Sequence, residues 1–265
     1  VACSSANAYG DQVNSVVKLT MGGYMCSGAL INNTSQDLTP YVLTAYHCVE
    51  PESPGEHNYF TFYFNYESSS CSGSGGSQNH SETGSYLRAV KNENSSDVAL
   101  LEMDDDPSSS WNPYFAGWSK STSYPQVAAG IHHPNGGIKK ISFDYGDTAY
   151  GCSWYGNSTH WCFDFDHGGT AGGSSGSPLF NTDKRIIGQL SGCFIIGGND
   201  CSDGCGLDDN AYGKFSTSWN GGSSSSRLKD WLDPGNTGQT TLNGTYDGGS
   251  IVYGCTDSSA CNYDS

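Results

Sequence analysis

The sequence predicts an all-β protein, organised as a barrel or a sandwich. The chain of 265 residues contains 36 glycines, and aromatic residues reach 12% while charged residues make up only 14%. A helical bundle or a disordered chain would be richer in charge and poorer in aromatic residues. Apolar stretches of strand length recur at short intervals, and turn-forming residues separate nearly all of them. This alternation of short apolar stretches and turns is typical of antiparallel β structure and does not match βαβ units.

The predicted strands follow one another along the whole chain. In order, they cover residues 15–21, 28–31, 41–46, 59–66, 85–90, 97–103, 126–133, 139–143, 160–165, 178–180, 185–190 and 212–217.

One helix is predicted near the end of the chain, over about residues 226–233. Ser226 can cap this helix, and the Pro-Gly pair that follows would end it. Three apolar residues have the spacing of a single helical face: Leu228, Trp231 and Leu232.

The charge of the chain excludes one class of partner. Eleven Lys and Arg residues stand against 27 Asp and Glu residues, which gives a formal net charge of −16 at pH 7. Nucleic-acid binding depends on neutralising phosphates with Lys and Arg, so we expect no nucleic-acid partner. No apolar run approaches the ~20 residues that a membrane span needs, and no signal peptide begins at Val1. We expect a mature secreted protein whose targeting segments have been removed, without a membrane partner.

Eleven cysteines in a chain of this size indicate an oxidising compartment and favour disulfides over metal binding. Paired C-x-x-C spacings of the zinc type are missing, and Cys201-x-x-x-Cys205 alone is a weak signal. The His132-His133 pair has no matching carboxylate motif, so we interpret it as structural. We expect no metal site and no cofactor.

The stretch “GGSSGSPLF”, residues 172–180, has the composition of a flexible linker. It nevertheless ends in Pro178-Leu179-Phe180 and leads directly into an apolar strand pattern, so it lies between structured segments. We therefore interpret it as the position of a nucleophilic serine, with a linker as the alternative.

Acyl transfer by serine needs a hydroxyl, a base within hydrogen-bond reach and an acid that holds the base in the correct tautomer. His47 ends an apolar strand beside Cys48, and Asp97 stands at the start of a buried strand. Together with a serine of 172–178 these residues could form such a triad. Their order along the chain is that of the chymotrypsin class and differs from that of α/β-hydrolases, which disfavours an esterase of that kind.

The stretches “CSGALI” (26–31), “TAYHC” (44–48), “DVALLEM” (97–103) and “GGSSGSP” (172–178) resemble chymotrypsin-fold serine proteases. More specifically, the chain resembles bacterial lysyl endopeptidases, over nearly its whole length up to about residue 240. That likeness also rests on “AGW” (116–118), “IHHPNGGIKKIS” (131–142), “GQL” (188–190), “YGK” (212–214), “FSTSWNGG” (215–222) and “SRLKDWLDP” (226–234).

The resemblance implies two six-stranded antiparallel β-barrels with a C-terminal helix and the activity of a secreted bacterial serine endopeptidase. After about residue 235 the composition changes to Gly, Thr, Asn and Ser, and the end of the chain resembles the start of a Cys-rich repeat, so we interpret 241–265 as a linker and a truncated repeat. The protease resemblance implies a protease domain over 1–240. Within the first domain it places barrels at about 10–110 and 120–220. We expect a monomer that acts on protein or peptide substrates.

The resemblance also assigns the site residues. In the family's G-x-S-G pattern the nucleophile follows the variable residue, which implies Ser175 and not its neighbouring serines. His47 would be the base and Asp97 the acid. The backbone N–H groups of Gly173 and Ser175 would face the oxyanion, since a glycine two residues before the nucleophile lets the chain turn them inward.

Three disulfides are implied by the same comparison: Cys3–Cys71, Cys26–Cys48 and Cys152–Cys162. An odd number of cysteines then stays unassigned, namely Cys193, Cys201, Cys205, Cys255 and Cys261.

The implied substrate pocket is lined by Gly169, Ser191 and Gly192, and its charge is ambiguous. Where lysyl endopeptidases have an Asp that receives the substrate ammonium, this chain has Asn210, with Asp209 just upstream. A buried ammonium needs an opposing charge. We expect a preference for Lys above Arg before the scissile bond if Asp209 reaches the pocket. The alternatives are a protease with a neutral preference and a non-catalytic peptide-binding homologue.

Overall fold

The structure is a computed structural model that describes residues 1–50, 56–123, 125–146, 158–193 and 210–247. Four short α-helices lie among these residues: α1 Gly10–Ser15, α2 Tyr46–Val49, α3 Phe215–Trp219 and α4 Lys229–Leu232. None of the described helices is long and apolar enough to cross a membrane.

Strands of the first half form one antiparallel sheet. They are β1 Val16–Met21, β2 Tyr24–Leu30, β3 Tyr41–Ala45, β4 Thr61–Tyr63, β5 Ser81–Thr83, β6 Ser85–Lys91 and β7 Val98–Met103. Their spatial order is β5-β4-β1-β2-β3-β7-β6. The two outermost strands, β5 and β6, are separated in sequence only by Gly84, so the sheet closes on itself there. Gly84 has φ +103°, and a Cβ would collide with Asp104, so this corner requires glycine.

Strands of the second half form a similar sheet, together with a separate pair made by β8 and β17. They are β8 Tyr114–Phe115, β9 Trp118–Ser119, β10 Ala128–His132, β11 Lys140–Asp144, β12 His160–Phe163, β13 Pro178–Phe180, β14 Ile186–Cys193, β15 Asn210–Lys214, β16 Thr241–Leu242 and β17 Thr245–Tyr246. Six of them follow the order β11-β10-β13-β14-β15-β12. A bridge between Phe143 and His167 brings the β11 edge to the chain just after β12. Counting β5 and β6 as one bent strand, each half is a six-stranded barrel, which confirms the predicted fold class.

One apolar core lies between the barrels and draws on both. Val16 and Leu43 come from the first barrel, and Trp118, Phe180 and Phe215 come from the second. Burying large apolar side chains from both halves in one cluster fixes the barrels against each other, because each such side chain contributes about 1.5–3 kcal/mol when buried. Residues from the two barrels can therefore form one site between them.

Two predicted elements differ from those observed. The strand predicted at 212–217 ends at Lys214, because Phe215, Ser218 and Trp219 are buried at helical spacing on α3. The helix predicted at 226–233 is shorter: α4 covers only Lys229–Leu232. Ser226 does not cap it, because its side chain closes a capping box with Ser223 in a preceding 3-10 turn.

Residues 241–246 lie inside the fold, although they follow the predicted domain boundary. β16 pairs with β9, and β17 pairs with β8. Leu242 and Tyr246 are buried in the core between the barrels. These residues are therefore part of the folded unit and not a linker; most of the predicted repeat lies outside the described residues.

The disulfides Cys3–Cys71 and Cys26–Cys48 are present, as predicted. Cys162 is disulfide-bonded, and its predicted partner Cys152 lies outside the described residues. Cys193 lies at the end of β14. The other cysteines that were left without an assigned partner fall outside the described residues: Cys201, Cys205, Cys255 and Cys261.

Candidate active site

His47 and Asp97 are brought together by the pairing of β3 with β7. Ala45 faces Val98 in that register, so the residues just beyond each strand end also lie side by side. His47, on the first turn of α2, places Nδ1 2.7 Å from Asp97 Oδ2, and its backbone N–H donates to Asp97 Oδ1 at 2.9 Å. These two bonds orient the His47 side chain, one through the ring nitrogen and the other through the backbone N–H of the same residue.

Asp97 is fully buried and has a left-handed backbone with φ +49°. Asp tolerates this conformation better than most residues. Its backbone is held on both sides: the N–H donates to Asn92 O at 3.1 Å, and the carbonyl accepts from Tyr46 N–H at 2.9 Å and from Gln189 Nε2 at 3.2 Å. Gln189 Nε2 also donates to Ser96 O at 2.6 Å. The carboxylate is thereby fixed under the imidazole.

Ser191 supplies a second side-chain donor to the carboxylate. The pairing of β14 with β15 is irregular between Leu190 and Gly192, and such a bulge re-aims a side chain. Ser191 Oγ donates to Asp97 Oδ2 at 2.6 Å. The side chain predicted to line the pocket therefore contacts the Asp97 carboxylate.

Opposing effects set the pKa of His47. Burial lowers it, but the hydrogen bond and the charge of Asp97, followed by the charges of Glu93 and Glu50, raise it further, so the pKa lies above its ordinary value. Because a charged imidazole is stabilised beside carboxylates, His47 is suited to accept a proton during a reaction.

The loop that carries Ser175 is anchored to the first barrel through Ser27 on β2. Ser27 N–H donates to Ser175 O at 2.8 Å, and Ser27 Oγ donates to Gly173 O at 2.9 Å. On the other side, Gly176 N–H donates to Leu190 O at 2.8 Å, one residue before Ser191. The loop is thus bonded to the strand that supports Asp97.

Gly176 brings this loop against the base of α2. Its φ is +78°, and an added Cβ would collide with Thr44 Oγ1 and Ser27 O and meet Ala45 N at 2.8 Å. Ser175 therefore lies beside the chain that leads into His47. Within the described part of the chain, neither Ser175 Oγ nor His47 Nε2 makes a hydrogen bond. Catalytic hydrogen bonds are often long before substrate binds, so this geometry is compatible with the predicted pair.

Two backbone donors of the loop have no acceptor among the described residues. Among the described residues, the N–H groups of Gly173 and Ser175 make no hydrogen bond, whereas the intervening Ser174 N–H donates to Ala171 O at 3.0 Å. Gly173 has φ +84°, which gives this turn its shape. Two such N–H groups, separated by one residue, form a concave site for a negatively charged oxygen.

The predicted pocket residues meet where β14 and β15 pair. Gly192 faces Ala211, next to Asn210. Asn210 is fully buried, and its Oδ1 accepts a hydrogen bond from Thr170 Oγ1 at 2.6 Å. Gly169 directly precedes Thr170 and is hydrogen-bonded to Ser142 Oγ. Asp209 lies outside the described residues.

Two clusters of described residues have metal-ligand proximity. Cys26 and Cys48 lie near His47 but are joined in a disulfide, so their sulfurs are not thiolate ligands. His47, Glu93 and Asp97 place their ligand atoms within 4.8 Å of one another. Since His47 and Ser191 already bond to Asp97, we assign no metal to this group.

Ser27 and Gln189 are site residues that sequence reasoning missed. Both lie in stretches that carry the family resemblance, “CSGALI” and “GQL”. Their place in these stretches was the one feature of the sequence that could have indicated a role. Their contacts with the nucleophile loop and with Asp97 join distant parts of the chain, which local patterns do not reveal.

The family model described as lysyl endopeptidase, C-terminal domain, matches residues 1–213. The chain belongs to this lysyl endopeptidase family. The lysyl endopeptidase of Pseudomonas aeruginosa is 27% identical over 207 residues, covering 75% of the chain and 44% of that protein. The chain therefore spans less than half the length of this curated relative of the family.

Solved structures share the fold with this lysyl endopeptidase family member. The protease Anisep from Arthrobacter nicotinovorans has a TM-score of 0.53 and 19% identity, covering 76% of this chain and 89% of that one. A Glu endopeptidase has a TM-score of 0.51 and 19% identity, covering 81% and 88%. At this identity the likeness establishes the architecture alone, which is the chymotrypsin-like pair of barrels.

Proposed function

We propose that the chain is a serine endopeptidase that cleaves peptide bonds through an acyl-enzyme. The observation that carries the proposal is the His47–Asp97 hydrogen bond of 2.7 Å beside a loop whose Gly173 and Ser175 N–H groups have no described acceptor. A base, its orienting acid and an oxyanion site are the parts that acyl transfer by serine needs. Membership of the lysyl endopeptidase family supports the same reaction.

The proposed reaction has two halves. Ser175 Oγ attacks the peptide carbonyl carbon while His47 Nε2 takes the hydroxyl proton, and the carbonyl oxygen becomes an oxyanion held by the two N–H groups. The intermediate collapses as the C–N bond breaks, and His47 delivers the proton to the departing amine. Water then repeats the sequence on the acyl-enzyme and releases the acid product. Asp97 stabilises the imidazolium in both halves.

The nucleophile can be tested without knowing the substrate. A serine-directed phosphonate should label the parent chain, and Ser175→Ala should abolish labelling because the attacking oxygen is gone. Ser177→Ala should retain it, although that serine is fully buried in the same loop. Labelling of Ser175→Ala would contradict Ser175 as the nucleophile. An unlabelled parent chain would favour the alternative of a non-catalytic peptide-binding homologue.

For specificity, we propose Lys above Arg before the scissile bond. The support is the family, whose matching model is named for lysyl endopeptidase activity. The ammonium of such a substrate requires a carboxylate, and Asp209 is the proposed source. Asp209→Asn should then reduce cleavage after Lys at least tenfold, because an unpaired ammonium loses several kcal/mol on desolvation.

A neutral preference is the second candidate, and the Thr170–Asn210 hydrogen bond favours it. Asn210 is uncharged, fully buried and fixed by this bond of 2.6 Å. A set of peptides varied only before the scissile bond separates the candidates, since dominant cleavage after Phe, Leu or Glu would exclude the basic preference. Asn210→Asp should raise cleavage after Lys in either case, by adding a carboxylate at the pocket.

We further propose that the protein is secreted and monomeric. The disulfides Cys3–Cys71 and Cys26–Cys48 fit an oxidising compartment. The net charge of −16 favours solubility and disfavours association between copies. Sedimentation of the purified chain should give the mass of one copy.

A further inference from the structure

His132, at the end of β10, is a buried histidine that the proposed reaction does not use. The side chain is only 1% exposed, and both ring nitrogens have partners. Nδ1 lies 2.8 Å from Ser174 Oγ, and Nε2 lies 3.1 Å from Ser142 Oγ. The imidazole therefore bridges two hydroxyls from different parts of the second barrel.

These two hydroxyls hold the two ends of one short segment. Ser142 Oγ accepts from Gly169 N–H at 2.9 Å and lies 3.2 Å from Gly169 O. Ser174 Oγ accepts from Ala171 N–H at 3.1 Å. The segment between them begins at the pocket wall and ends beside Gly173, whose N–H is a proposed oxyanion donor. The His132 imidazole thus connects Gly169 at one end of the segment with the proposed oxyanion donor at the other.

Only one arrangement of hydrogens satisfies every group. Ala171 N–H donates to Ser174 Oγ, and Ser174 O–H donates to His132 Nδ1. His132 Nε2–H then donates to Ser142 Oγ, and Ser142 O–H donates to Gly169 O. In the opposite tautomer Ser174 Oγ receives two hydrogens, and its own O–H has no acceptor among the described bonds in a fully buried site.

A protonated His132 ring would also leave the Ser174 O–H without an acceptor, because both ring nitrogens would then be donors. Burial lowers the pKa of His132 to about 4. The ring is therefore neutral wherever His47 can act as a base, and the chain of hydrogen bonds is complete under those conditions.

We propose that His132, held by Ser142, is a positioning residue that sets the oxyanion donor at Gly173 through Ser174. This inference rests on the proposed function. Hydrogen-bonded chains of this kind polarise one another and act as a unit. Loss of one member should therefore disturb the transition state more than the ground state, since the oxyanion forms only during reaction.

Cleavage kinetics test the proposal with a matched control. Ser174→Ala and His132→Gln should each lower kcat about tenfold or more while KM changes little, a fraction of the 10²–10³-fold loss of a whole oxyanion donor. The double variant should lose no more than the larger single loss, because both changes break the same chain. His133→Gln alters the neighbouring buried histidine, whose Nδ1 contacts Gly137 O instead. His133→Gln should keep the parent kcat even if its thermal midpoint falls as far as those of the His132 and Ser174 variants.

The outcomes separate this inference from the proposed function. A parent chain that cleaves no peptide contradicts the proposed function. A kcat in the His132 and Ser174 variants within twofold of the parent, or an equal loss in His133→Gln, overturns the inference alone. Nitrogen NMR of the labelled histidines decides independently of cleavage: His132 should be the neutral Nε2–H tautomer from pH 5 to 8. An Nδ1–H tautomer, or protonation within that range, overturns it.

Discussion

Ser191 Oγ and His47 Nδ1 meet at one oxygen, Oδ2 of Asp97, at 2.6 and 2.7 Å. Ser191 lies on β14 of the second barrel and His47 on α2 of the first, so this carboxylate is bound from both halves of the molecule. The proposed base is therefore oriented by a contact that depends on the relative position of the barrels.

Ser191→Ala should weaken the proposed catalysis without unfolding the chain. A hydrogen bond to a charged group contributes about 1.5 kcal/mol, and losing that amount from the transition state lowers kcat/KM roughly tenfold. Peptide cleavage measures the loss. Ser119→Ala removes another buried serine, whose Oγ accepts from Ser121 N–H and has no other partner among the described residues, and should leave kcat/KM unchanged. Equal losses in the two variants would contradict a specific role of Ser191.

Asp97→Asn should lower kcat by about 10⁴-fold, because an amide holds the imidazole in the wrong tautomer. The fold should persist, since Asn tolerates the φ of +49° at this position. Asp97→Ala also loses the side-chain oxygen that accepts from the His47 backbone N–H, and it adds about 1–2 kcal/mol of backbone strain. Its urea midpoint should therefore lie below that of Asp97→Asn. A kcat for Asp97→Asn within tenfold of the parent would refute the proposed role of Asp97.

The pH dependence of kcat/KM should show an acid limb with its midpoint above the ordinary histidine value of about 6.5. Asp97, Glu93 and Glu50 raise the pKa of His47, and the base acts only once it has lost its proton. By the same linkage, the stability that protonated His47 contributes is fully present below its ordinary pKa and is lost as pH rises through the folded value.

Glu93→Gln should move that acid limb to lower pH. Removing a negative charge near the imidazole disfavours its protonated form, so the pKa of His47 falls and the base loses its proton at a lower pH. Glu82→Gln, at a carboxylate that faces Asp105 and not His47, is the matched control and should leave the midpoint in place. A flat profile between pH 5 and 8 would argue against His47 as the base.

Removing the Cys26–Cys48 disulfide should affect stability and catalysis together. The bridged cysteines are 22 residues apart, and closing a loop of this length is worth about 3 kcal/mol in the chain-entropy account. Cys48 neighbours His47, so Cys26→Ser with Cys48→Ser should also reduce kcat/KM.

The Cys3–Cys71 disulfide provides the comparison for that variant. Its separation of 68 residues predicts a larger stabilisation of about 4 kcal/mol, yet neither cysteine contacts a described site residue. Cys3→Ser with Cys71→Ser should lower the free energy of unfolding in urea more than the first pair while kcat/KM is retained at 25 °C. The reverse ranking in activity would contradict the role given to the Cys26–Cys48 bridge.

Local sequence patterns predicted most of the strands that build the two barrels, because apolar alternation and turn residues are properties of short segments. They failed where helical and strand spacing overlap: Phe215 continues the apolar pattern of β15, but its burial with Trp219 belongs to a helix. The two-residue strands β8, β9, β16 and β17 are too short to have a period.

The site was predictable only in part. His47, Asp97 and Ser175 stand in recognisable stretches, and the bond between the first two lies where β3 ends and β7 begins. The contacts of Ser27 and Gln189 join residues far apart in sequence, and the aim of Ser191 depends on a bulge in the pairing of β14 and β15. Such features arise from tertiary packing, which one sequence does not display.

The short strands β16 and β17 have a mechanical consequence. They pair with β9 and β8, which belong to the stretch of chain that connects the two barrels. Tyr246 Oη also donates to Asp11 Oδ1 on α1 at 2.7 Å. The segment thus links the connection between the barrels to α1, and loosening it should weaken the packing between the two halves at a point far from the proposed catalytic residues.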